Sequence, residues 1–113
     1  MKEIKAIIQP VTLNAVIHAL KQIPGLPGVT VSEVKGFGRS RAVDAADKVI
    51  DGGNEYARKI KLEIVVPDDL LESAIQAVVD HAHRGMSGDG KVFISTIDDV
   101  IKIRTRERGE HAI

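Results

Sequence analysis

Lys59-Ile-Lys-Leu-Glu-Ile-Val-Val-Pro-Asp-Asp69 alternates apolar Ile60, Leu62, Ile64 and Val66 with Lys59, Lys61 and Glu63, then meets a proline and two carboxylates. Period-two alternation marks a strand with one buried face. Pro67 and the acidic pair mark a helix start, and Asp69 with Glu72 has capping-box spacing. Leu71, Ala74, Ile75, Val78 and Ala82 follow at helical spacing. Gly85, Gly88 and Gly90 then break the chain, and residues 92–97 read as a returning strand.

Working outward, the first half repeats this order. Ile4, Ala6 and Ile8 alternate, Pro10 follows, and Thr12 is the expected N-cap for a helix with Leu13, Val16, Ile17 and Leu20 on one side. Pro24, Gly25, Pro27 and Gly28 end that helix before a strand over residues 29–34. Two strand–helix–strand units predict an α+β fold, the ferredoxin-like split βαβ repeat (βαββαβ), with both helices on one face of an antiparallel sheet. The opposite face is then bare. Ile7 and Val65 should lie there, which points to cover by a partner chain.

A chain of 113 residues is expected to form one domain, over residues 1–113. Basic and acidic residues number 16 each, so no global field draws nucleic acid or anionic lipid. Aromatic side chains are Phe37, Phe93 and Tyr56 alone, too few for a base-stacking platform. No cysteine is present, which excludes disulfides and thiolate chemistry. No apolar run approaches the roughly 20 residues of a membrane span. The expected location is the cytoplasm, with no direct membrane insertion.

The copies are joined by residues 38–58, about twenty where a hairpin needs a few, a length usually reserved for function. Charge and small residues dominate there, so the segment reads as a mobile arm.

Three segments bear chemistry. Gly85-Met-Ser-Gly-Asp-Gly-Lys91 fits the start of a P-loop, but Val92 stands where the magnesium-binding hydroxyl belongs, and the loop follows a helix where a P-loop follows a strand. Its glycines could still offer backbone N–H groups to phosphate beside Lys91, or serve as a connector. Gly36-Phe-Gly-Arg39 reads as turn punctuation when taken alone. In Ile101-Lys-Ile-Arg-Thr-Arg106, extended backbone would put Lys102, Arg104 and Arg106 on one side; a solvated tail is the plainer alternative.

Together, Glu33-Val-Lys-Gly-Phe-Gly-Arg39, Lys61–Asp69, Gly88-Asp-Gly-Lys91 and Val100-Ile-Lys-Ile-Arg-Thr105 resemble the PII signal-transduction family in order along the whole chain. The resemblance implies a homotrimer with ATP or ADP between subunits, Mg2+ accompanying ATP, and no catalytic residues. It places a T-loop at about 38–58, a B-loop at about 84–91 and a C-terminal loop at about 98–109. The implied nucleotide contacts are Gly36, Phe37, Gly38 and Arg39 at the T-loop base, and Thr30 and Val65 around adenine. Gly88, Asp89, Gly90 and Lys91 would hold phosphates, with Lys102 and Arg104 reaching across from the C-terminal region. ATP carries about four negative charges, and each charge pair at about 4 Å is worth on the order of 4 kcal/mol before desolvation. Lys102 stands where the family usually has Arg, keeping the charge and losing the bidentate fork.

The resemblance also implies a regulated protein target reached through the T-loop, a membrane transporter or metabolic enzyme. Ser40 and Lys59 fall where the family meets a small anionic effector. Lys59 matches the lysine that grips 2-oxoglutarate, but Ser40 replaces the usual glutamine and is too short to supply its amide oxygen. The usual uridylylated tyrosine falls at Gly52. The arm therefore looks closer to a divergent, efflux-associated branch. The alternatives are an ordinary 2-oxoglutarate/ATP nitrogen-status regulator and, further off, a nucleotide hydrolase. His18, His81, His83 and His111 are not spaced as metal ligands, so no metal site is expected.

Overall fold

The computed structural model describes residues 1–39 and 48–113. Strand β1 (Lys2–Ile8) leads through a 3-10 turn at Pro10–Thr12 into α1 (Leu13–Lys21), and β2 (Thr30–Gly36) returns. A short strand β3 (Lys48–Asp51) precedes the long β4 (Asn54–Val66); a second 3-10 turn opens α2 (Leu71–Ala82), and β5 (Gly90–Thr96) closes the sheet. The order is β2-β4-β1-β5, every pairing antiparallel, with β3 beside β4. This is the ferredoxin-like α+β fold expected from the repeat.

The alternation that marked the strands decides their faces. Ile4, Ala6, Ile8, Ile60, Leu62, Ile64 and Val66 are buried beneath the helices, whose Val16, Leu20, Ala74, Val78 and Ala82 complete one core. Each large side chain there contributes about 1.5–3 kcal/mol of apolar burial. Ile7 and Val65 lie half-buried on the other face, with Phe93 at 53% exposure in register with Lys5. That face is mixed in character, since Lys61 and Glu63 form an ion pair on it at 3.6 Å.

Three expectations need correction. Neither helix takes a side-chain N-cap: the Thr12 hydroxyl donates to the Gln9 carbonyl, and no cap forms from Asp69. Both helices enter instead through 3-10 turns that follow or contain a proline, which needs no N–H there. The arm is partly regular: β3 and the first residues of β4 form a hairpin around Gly52 and Gly53, whose φ values of 57° and 79° suit its tight turn. The segment after Ile101 is a turn: Ile101 bridges Arg108, and Arg106 has φ of 65°. Lys102, Arg104 and Arg106 therefore do not share one side of an extended strand.

Candidate functional site

The glycine loop follows α2 and opens β5, as its rejection as a P-loop required. Its shape is made by Asp89, whose Oδ2 accepts the backbone N–H groups of Arg84 (2.8 Å), Gly85 (2.9 Å) and Met86 (3.4 Å). Those three amides are thus already engaged. Burial opposes ionisation of Asp89, but these donors and the His83 ring outweigh it and hold the carboxyl below its usual range. Gly85 and Gly90 have φ of 80° and 108°, the left-handed region that glycine tolerates.

Beneath the loop lies a set of polar side chains. Lys59 Nζ donates to the Gly88 carbonyl at 2.6 Å, and Arg84 Nη1 donates to Gln9 Oε1 at 2.9 Å. Burial keeps the Lys59 ammonium below the ordinary lysine pKa, with Asp89 pulling the other way. Lys91 is exposed and stands in register with Ile7.

Gly36 ends β2 opposite Ala57, so Phe37, Gly38 and Arg39 leave the sheet at its glycine-loop end. The Phe37 ring lies 6.2 Å from that of Tyr56. Lys35 Nζ sits 5.4 Å from the Tyr56 centroid and also pairs with Asp51, which draws the Asp51 carboxyl down in pKa. These contacts fasten the β3–β4 hairpin to the end of β2. Ser40 lies outside the described residues.

The remaining candidates sit elsewhere. Thr30 and Val65 line an open groove of about 630 Å³ with Glu3, Gly28, Glu63 and Ile113. Thr30 lies six residues from Gly36 along β2, about 20 Å at strand rise. Lys102 and Arg104 leave from the Thr30 end too, since the Ile97 N–H meets the Met1 carbonyl and the Gly109 N–H meets that of Val100. The Lys102 N–H donates to the Glu107 carbonyl, within a turn where Ile103 is 95% exposed. One chain therefore places Gly36–Arg39, Lys59 and Gly88–Lys91 at one end of the sheet and holds Thr30, Val65, Lys102 and Arg104 at the other.

Gln9 and Arg84 were not singled out by sequence, and Tyr56 was noted there only as the one tyrosine. For Gln9 the signal was a polar residue ending an apolar strand before Pro10. Among the described residues no cluster of three His, Cys, Asp or Glu could hold a metal, and no helix is long and apolar enough to cross a membrane.

A family model described as nitrogen regulatory protein P-II matches residues 1–107. Curated proteins of that description from Azospirillum brasilense, Bradyrhizobium diazoefficiens and Haemophilus influenzae are 43%, 45% and 40% identical to this chain, covering 100% of it and of themselves.

Proposed function

Because the chain belongs to the nitrogen regulatory protein P-II family of signal-transduction regulators, which are not enzymes, we propose that it senses ATP or ADP between the subunits of a homotrimer. One copy supplies Gly36–Arg39 and Gly88–Lys91, with the loop shaped by Asp89. Its neighbour supplies Thr30 and Val65 toward adenine, and Lys102 and Arg104 toward phosphates. Mg2+ accompanies ATP. The bound nucleotide sets the T-loop, at about 38–58, and the loop docks on a regulated protein in the cytoplasm.

The observation that carries this reading is the division of the candidate residues between opposite ends of the sheet. Lys91 and the Lys102–Arg104 turn can gather the same phosphates only if the loop of one copy meets the turn of another.

A second reading has its own support. The three relatives named above share a nitrogen-regulatory name, which favours nitrogen-status regulation and lends nothing to the efflux-associated branch; 2-oxoglutarate is the effector that the resemblance implies for that role. Against it stands Ser40, too short to replace an amide; in its favour stands Lys59 beside the loop.

Calorimetric titration of ATP and ADP tests the first reading. Lys91→Ala should weaken binding by about 1.5–3 kcal/mol, the scale of a charged hydrogen bond. Unchanged affinity in that variant would mean the phosphates lie elsewhere. Tight binding of 2-oxoglutarate to the ATP–magnesium complex of the unmutated protein would establish the second reading; binding gained only in Ser40→Gln would reject it.

A further inference from the structure

We propose that Gln9 is a positioning residue for the glycine loop, bracing its entry through Arg84 and backing its exit from the tip of β1, so that its phosphate-binding shape exists before a ligand arrives. This rests on the nucleotide reading above. Gln9 is 8% exposed, and Thr12 is the other buried polar residue among those described. Its backbone is pinned, because both the N–H and the hydroxyl of Thr12 donate to its carbonyl, at 3.1 and 2.9 Å. Its Oε1 accepts from Arg84 at the loop's entry. Its Nε2 lies directly beneath the loop's exit, only 3.1 Å from where a Cβ on Gly88 would stand.

The amide oxygen is the acceptor that holds Arg84, while the rest of the planar group fills the space beneath Gly88. The loop needs such help. Glycines lose the most conformational freedom on ordering, and an unbraced loop must meet that cost at the moment of binding. Lys59 holds the exit at the Gly88 carbonyl, while Asp89 and, through Arg84, Gln9 hold the entry. The amide's merely being satisfied in a buried place is the competing account, and variants separate the two.

Gln9→Met keeps the volume and removes both polar atoms. Arg84→Met removes the other half of the entry contact from an exposed position, and it carries the test if Gln9→Met fails to fold. Gln9→Glu keeps an oxygen acceptor for Arg84. Titration with ADP should show affinity lowered about tenfold in both methionine variants, with most of it retained in Gln9→Glu. Without ligand, amide exchange over residues 85–91 should quicken in the methionine variants only, while their thermal midpoints move less than about 4 °C. Unchanged ADP affinity in both methionine variants, or an equal loss in Gln9→Glu and Gln9→Met, would overturn the brace and leave the nucleotide reading standing. No ADP binding by the unmutated protein would overturn both.

Discussion

At Gly90 a Cβ would lie 1.7 Å from the Ile7 carbonyl oxygen and 2.8 Å from its carbon, and φ is 108°. No side chain relieves that, because the obstacle is the backbone of the neighbouring strand. Gly88 differs: φ is not positive, and an added Cβ would meet the ends of two flexible side chains. The glycines of this loop look alike in sequence and are not alike in the fold. Gly90→Ala is expected to cost at least about 2 kcal/mol of stability, the scale of a strained backbone forced against a packed neighbour. Gly88→Ala should cost clearly less. Denaturant unfolding of both variants measures the difference; equal stabilities would mean that the Ile8–Gly90 register is not the one described.

Among the elements, the sequence was most legible where burial enforces a period. The strands around Ile4–Ile8 and Ile60–Val66 and the stripes of both helices were readable because each missed position would expose apolar surface or bury charge. The β3–β4 hairpin was not read, although Asp51-Gly-Gly-Asn54 is a strong turn signal. Its four-residue strand β3 has no buried position, so nothing apolar repeats along it. The turn at residues 101–108 was legible only as a loop from the resemblance; its shape was not, because Lys-Ile-Arg-Thr alternates as an extended segment would while none of it is fully buried, and Ile103 projects outward. The division of the candidate site was half legible: the resemblance named its residues, but only the register put them at two ends. Hairpin stability must then come from its base, where Tyr56 meets Phe37 and Lys35. Tyr56→Ala should speed amide exchange in residues 48–57 by about tenfold, the worth of one ring and cation contact. Exchange in β1 should be unchanged. Quickening throughout the sheet would show that the hairpin is continuous with the core.

On the scale of the whole molecule, one face of the sheet packs two helices and the other carries Ile7, Val65 and Phe93 beside the Lys61–Glu63 ion pair. Such a face is better covered than wetted. The expected state at micromolar concentration is a trimer, measured by light scattering. A monomer would remove the neighbour that the divided site requires. A charge-reversing change on that face, Lys61→Glu, should then shift the trimer toward smaller species while the helices persist by circular dichroism. The chain also has a single tyrosine and no tryptophan. Its near-ultraviolet emission is therefore dominated by one ring, at the hairpin base between Phe37 and the Lys35 ammonium. Any change in that light on adding a ligand reports events at this one place, and the unlabelled protein is its own optical gauge of whether the arm has moved.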